Sequence, residues 1–127
     1  MAQRLIVIGG VATGMSAAAK AKRTNRGMEV VVYEQSAYIS YGACGMPYYI
    51  AGDIPDHQAL IARTPEQMAK QGVQVHLHHR VVAIDPEKQT VTVQAGEDTP
   101  RFEAPYDKLV IATGARPVRP HLPGSEL

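Results

Sequence analysis

Residues 4–34 read RLIVIGGVATGMSAAAKAKRTNRGMEVVVYE, and the order of residue types in this stretch decides the fold. Arg4 to Ile8 is a short, β-branched apolar run that stops at Gly9 and Gly10, the pattern of a parallel strand buried on both faces. From Gly14 to about Arg26 small apolar residues give way to a basic end, AAAKAKRTNR, which predicts a helix stopped by Gly27. Glu29 to Glu34, EVVVYE, predicts a second strand. Strand, glycine turn, helix and strand within about 30 residues make a βαβ unit.

The turn is Gly9-Gly10-Val11-Ala12-Thr13-Gly14. Against the pattern G-x-G-x-x-G its first and last glycines match, while Val11 takes the middle place. Glu34 closes the next strand 20 residues beyond Gly14. In that context the turn and the helix start present amides to a pyrophosphate, and the acid accepts from ribose hydroxyls. The plainer alternative is a glycine turn that only packs helix against strand. RLIVIGGVATGMSAAA also has the charge and apolar order of a signal peptide, but the same residues serve better as strand, turn and helix.

Composition narrows the classes. The chain has 127 residues, enough for one domain with a real core. Its formal net charge of +1 gives no electrostatic case for nucleic acid or an anionic membrane surface. No apolar run approaches the ~20 residues that span a bilayer. A single cysteine excludes an internal disulfide framework and makes a reducing cytoplasm the default setting.

That cysteine lies in ISYGACGMPYYI, Ile39 to Ile50, with Gly42 and Gly45 on either side of Cys44. The glycines leave the sulfur uncrowded, and CGMPYYIAG predicts the opening of a short helix with Pro47 in its first turn. A thiol at a helix start meets the positive end of the dipole, which favours thiolate. The alternative is a small buried hydrophobe.

Further on, Thr64-Pro65-Glu66-Gln67 predicts a capped helix start, with Thr64 as N-cap, Pro65 at N1, Gln67 completing a capping box, and an end by Gly72. Val73, Val75 and Leu77 alternate with polar residues, as in a strand with one wet face. Arg80–Asp85 and Thr90–Gln94 predict a hairpin turning at Pro86 to Gln89. AGEDTPRFEAP reads as loop or frayed edge. His76, His78 and His79 read as solvated strand histidines rather than metal ligands, since no cysteine or carboxylate cluster stands beside them. Tyr106 to Ala112 predicts a strand ending at Thr113-Gly114, where bare backbone can meet a ligand. Beyond it, Pro117, Pro120 and Pro123 forbid a continuing helix. We therefore expect an α/β, Rossmann-like domain: a βαβ parallel sheet plus a small β-hairpin or meander. Residues 1–115 would form the N-terminal part of that domain, and residues 116–127 a linker at which the chain is truncated.

Taken together, IVIGGVATG, the YE pair, SYGACGMPYYIAGDI and YDKLVIATGARP resemble the FAD-dependent pyridine-nucleotide disulfide oxidoreductases. Within them the chain is similar to the single-cysteine branch of coenzyme A-disulfide reductases, persulfide reductases and NADH oxidases or peroxidases. The resemblance covers essentially the whole chain. It implies that Gly9, Gly10, Val11, Ala12 and Gly14 hold the FAD pyrophosphate, with Glu34 and Gln35 at the adenosine ribose. It places the backbone of Val82 at the adenine, and Ala112, Thr113 and Gly114 near the flavin. Cys44 becomes the redox thiol, and Ser16, Lys20, Arg23 and Ser40 fall where coenzyme A binds. Ala43 and Lys20 depart from the Asn and Gln of some coenzyme A-specific members, which leaves the substrate open. Without the family, Ile39 five residues before Cys44 excludes a Cys-x4-Cys dithiol, so oxidation must give a mixed disulfide, a persulfide or a sulfenic acid. The implied parent is a homodimer that passes electrons from NAD(P)H, held by a domain absent from this chain, through FAD to Cys44. From there they reach a coenzyme A disulfide or persulfide. Alternatives are an NADH oxidase or peroxidase working through a sulfenic acid, and a nucleotide-binding module without chemistry.

Overall fold

In the computed structural model, which describes residues 2–126, RLIVI forms β1 (Arg4–Ile8) and EVVVY forms β2 (Glu29–Tyr33). They pair in parallel, with Arg4 opposite Glu29 and Ile8 opposite Tyr33. Between them runs α1 (Ala12–Thr24), whose small residues Gly14 and Ala18 let the helix lie close to the sheet. Further elements follow in chain order: α2 (Met46–Ala51), α3 (Pro65–Lys70), β3 (Val73–His76), β4 (Arg80–Asp85), β5 (Thr90–Gln94), β6 (Phe102–Pro105) and β7 (Lys108–Ile111). The parallel sheet has the order β3-β2-β1-β7, and β4-β5-β6 form a separate antiparallel meander.

Period-two alternation sorts the central strands into two cores. Leu5 and Val7 of β1, with Val30 and Val32 of β2, face Met15 and Ala18 of α1 and Met68 of α3. Ile6, Ile8, Val31 and Tyr33 face the other way, onto Val91, Val93 and Ala104 of the meander. The result is three layers, helices on sheet on meander. A strand covered on both faces has to be apolar over its buried length, as Leu5 to Ile8 are. At the base of the sheet Arg4 grips Glu29 with two bonds of 2.8 Å and pairs through its backbone with Asp107. The guanidinium holds the Glu29 carboxyl below the usual range, chiefly through those hydrogen bonds.

Several expected boundaries move. The first helix starts at Ala12 and ends at Thr24, because Asn25 leaves helical φ/ψ while its N–H still reaches the Ala21 carbonyl. Asn25, not Gly27, therefore ends it, and the Asn25 side chain accepts from the Gly27 amide at 3.1 Å. The segment expected as loop contains β6, which pairs with β5 in the register Val91 to Ala104. Only Ala104 of that strand is buried, so its sequence carries no alternation to read. The capping box at Thr64 forms as expected, with reciprocal bonds between Thr64 and Gln67.

Ile6 is fully buried between the parallel sheet and the meander. Ile6→Ala should cost about 2 to 5 kcal/mol in denaturant unfolding. Val118→Ala, at a residue 90% exposed, should stay within about 0.5 kcal/mol of the parent.

Candidate functional site

The parallel sheet changes direction of growth at β1: β2 and β3 are added on one side and β7 on the other. Ligands of such sheets sit outside the carboxyl ends of the strands at that switch. A cleft of about 530 Å³ opens there. Gly9 and Val11 form its floor, and Ala112, Thr113 and Gly114 one wall. Gly9 has φ +100°, and a Cβ there would run into the Ala112 carbonyl, so only glycine lets the two strand ends close up. A Cβ at Gly14 would strike the Gly9 carbonyl, which is how α1 comes to start flush on the turn.

The start of α1 is open chemically as well as sterically. Val11 is its N-cap, and no side chain caps the first turn. Those amides point along the positive end of a 13-residue helix dipole, which suits an anion.

The opposite wall is Glu34, at 6% exposure the one charged residue among the buried side chains of the described residues. Its Oε2 accepts from the Gly10 amide at 2.7 Å and its Oε1 from the Ser36 amide at 2.9 Å. A carboxylate has about four acceptor positions, so two amides leave capacity for hydroxyl donors on the cleft side. Gln35 and Ser36 continue this wall, and Arg80 and Val81 close it from the meander.

Below the rim, Tyr33 stacks on His76 with centroids 5.4 Å apart and on His79 at 6.0 Å, while Phe102 meets Tyr33 edge-on. His79 Nδ1 lies 2.7 Å from the Leu77 carbonyl, and donation there leaves Nε2 as acceptor in the neutral ring. This corrects the expectation of solvated strand histidines: His76 and His79 pack the junction of the two sheets. His78 stands apart in a turn with φ +57°. No group able to hold a metal occurs among the described residues.

Of the residues expected at the site, Gly9, Val11, Glu34, Gln35, Ala112, Thr113 and Gly114 line the cleft. Gly10 serves it indirectly through Glu34, while Ala12 and Gly14 belong to the first turn of α1. At the meander edge the lining residue is Val81. Val82 falls at a register irregularity between Val81 and Ala83 and does not line the cleft. Tyr41, Ser36, Arg80 and Arg116 line it without having been singled out, and His79 lines it although the sequence suggests a solvated strand residue. Ser36 was signalled by its place two residues after the strand-end acid; the others come from tertiary packing.

Ser16, Lys20 and Arg23 are exposed on α1, four and three residues apart, and line no part of this cleft. Ser40 is tied to the glycine turn by its backbone, donating to the Gly10 carbonyl at 2.9 Å. Cys44 is exposed in a single 3-10 turn, Ala43–Gly45, joined to the cleft through the cleft-lining Tyr41. Gly42 donates to the Leu60 carbonyl at 2.7 Å, which anchors that turn. The dipole argument for Cys44 is corrected here: the N-cap of α2 is Gly45, and α2 has only six residues. Gly45 also serves packing, since a Cβ there would press on the Leu60 side chain.

A family model described as pyridine nucleotide-disulphide oxidoreductase matches residues 3–127. A coenzyme A disulfide reductase from Staphylococcus epidermidis is 35% identical over 113 residues, 88% of this chain and 26% of the relative. Bacillus anthracis CoADR-RHD, solved in a reduced form, superposes with a TM-score of 0.93 at 35% identity, over 99% of this chain and 23% of that one. A water-forming NADH oxidase from Lactobacillus brevis, bound to NADH, gives 0.89 at 35% identity over 97% and 27%. The chain thus spans about a quarter of the length of the proteins it matches.

Burial, and then the charge of His79, hold the His76 pKa below the ordinary histidine value. The folded protein therefore binds fewer protons there than the unfolded chain. Its stabilising contribution is complete above about pH 6.5 and is lost as pH falls toward the depressed folded value. His76→Phe keeps a stacking ring without a proton to gain, so its melting temperature should fall less between pH 7 and pH 5 than that of the parent protein.

Proposed function

This chain belongs to the pyridine nucleotide-disulphide oxidoreductase family, and from that premise we propose that its cleft holds the adenosine diphosphate half of FAD. The observation that carries the reading is the meeting of an uncapped α1 start and the buried Glu34 carboxylate in one cleft. The amides around Val11, Ala12 and Gly14 would take the pyrophosphate, and Glu34 the ribose hydroxyls. When bound, FAD supplies the two-electron carrier between a nicotinamide and sulfur. Residues 116–126 form no helix or strand and leave the sheet as a mostly exposed segment. In this reading they lead toward the part of a homodimeric, cytoplasmic parent that binds NAD(P)H. No described helix is long and apolar enough to cross a membrane.

Cys44 is the residue assigned to the sulfur chemistry, with coenzyme A disulfide as substrate. Its thiolate attacks one sulfur, one coenzyme A leaves as thiolate, and Cys44 keeps the other half as a mixed disulfide. Two electrons that originate in NAD(P)H, with a proton, then release the second coenzyme A and restore the thiol. Within this chain Cys44 has no second cysteine with which to form an internal disulfide. The exposure of Cys44 suits attack on a bulky disulfide. Ser16, Lys20 and Arg23 share one face of α1 and, with Ser40, are assigned to the coenzyme A phosphates and pantetheine. A second reading has equal support from identity, since the NADH oxidase also matches at 35%. In it Cys44 cycles through a sulfenic acid and oxygen or peroxide is the acceptor.

Two variants of the whole protein test these assignments. Glu34→Ala removes a charged acceptor worth about 1.5 to 3 kcal/mol, so FAD affinity should fall at least about tenfold at a temperature where circular dichroism shows the fold intact. Unchanged flavin retention would refute the ribose role. Cys44→Ser should keep its flavin and lose NAD(P)H-dependent release of coenzyme A thiol by orders of magnitude. A fully active serine variant would return Cys44 to an ordinary surface residue. Loss of oxygen consumption with no thiol release in the parent would favour the second reading.

A further inference from the structure

Cys44 sits between two stretches of backbone that are held unequally. Before it, residues 40–42 run antiparallel to residues 60–62. Ala62 donates to the Ser40 carbonyl at 2.9 Å, Tyr41 bridges to Ile61, and Gly42 donates to the Leu60 carbonyl at 2.7 Å. After it, among the described residues, the backbone of residues 45–54 bonds only within residues 42–54. The helix α2, which begins at Met46, has six residues and buries none of them. Isolated helices shorter than about 12 residues are marginal in water, so a contact from outside has to hold α2 in place.

The half-buried ring of His57 reaches both stretches. His57 opens a 3-10 turn, His57–Leu60, whose far end backs the Cys44 segment. Its ring centroid lies 5.6 Å from that of Tyr38 and 6.4 Å from that of Tyr49 in α2, edge-on to both. His57 Nε2 is 3.2 Å from the Tyr38 hydroxyl and 3.0 Å from Gln58 Nε2. An amide nitrogen only donates, so Nε2 accepts, and the neutral ring carries its proton on Nδ1, 3.6 Å from Asp56 Oδ1. Asp56 is itself fixed as N-cap of the turn, its Oδ1 accepting from the Gln58 amide at 2.9 Å. A chance cluster of surface rings does not require both nitrogens to face partners, nor contacts on either side of the one cysteine. We propose that His57 is a positioning residue for Cys44: it clasps Tyr38 ahead of the sulfur and Tyr49 behind it, and so sets where the sulfur stands during mixed-disulfide turnover. His57 lines no part of the flavin cleft and lies outside the residues assigned to coenzyme A. Its role rests on the reading of Cys44 as the redox thiol.

Two readouts on the whole, FAD-saturated protein test it. His57→Ala should lower NAD(P)H-dependent release of coenzyme A thiol about two- to tenfold. It should also speed hydrogen exchange of the Ile50 and Ala51 amides, which are bonded within α2, by about the same factor. His57→Gln, whose amide oxygen can accept from Tyr38, should recover part of both losses. Tyr38→Phe should fall between the parent and His57→Ala, and the double variant should be no slower than His57→Ala, since both changes remove the same bond. His57 belongs to neither core and Tyr38 is exposed, so melting temperature and flavin content should hold. Slower turnover with unchanged exchange in α2 would overturn the proposal. With Cys44→Ser inactive, parent-like turnover in His57→Ala would overturn it alone, whereas a fully active Cys44→Ser variant would overturn the reading of Cys44 and the proposal with it.

Discussion

The Glu34 carboxylate joins the glycine turn to the end of β2, and the cleft depends on that junction. One oxygen takes the Gly10 amide and the other the Ser36 amide, so a buried charge is compensated by two charge-assisted bonds. The backbone follows the same path: Gly9 donates to the Tyr33 carbonyl, and the Gly10 carbonyl accepts from Ser40. An aspartate would fall short by one methylene, and an apolar residue would strand two amides. The acid that orders the cleft is the one assigned to the ribose, so structure and binding use the same group.

Layering explains why the rest of the chain is needed. A four-stranded parallel sheet exposes two apolar faces, and α1 with α3 covers only one. The meander covers the other through Val91, Val93 and Ala104, and in doing so brings Arg80 and Val81 to the rim of the cleft. Tyr33, His76, His79 and Phe102 seal the joint with stacked and edge-on rings. The segment around Cys44 is different. α2 buries none of its residues, and Met46, Tyr48, Tyr49 and Ile50 are all exposed. Its position is held by backbone bonds such as Gly42 to Leu60 rather than by a core.

What could be read from the residues was what local physics decides. The bounds of β1, β4 and β5 and the Thr64 capping box follow from alternation, β-branching and capping chemistry within a few residues. Gly9, Glu34 and the Ala112 to Gly114 wall were legible because a strand end next to glycine or acid has few other uses. Long-range pairing decided the rest. β6 exists because β5 has an open edge, and it leaves only Ala104 as a trace of burial. His76 and His79 look solvated in sequence, and only the pairing of β3 with β2, which sets Tyr33 beside them, makes them part of a stack. Val81 replaces Val82 in the cleft wall because a bulge shifts the register.

Hydrogen exchange of the whole protein, with and without FAD, tests the central claim that the cleft receives a cofactor's phosphates at the α1 start. Gly10 and Ser36 amides should be protected in both states, since Glu34 already holds them. The uncapped amides of Ala12, Thr13 and Gly14 should exchange fast without FAD and slow sharply with it, while those of Arg26 and Gly27, just past the far end of α1, stay unchanged. FAD that binds without slowing Ala12 to Gly14 would contradict the account.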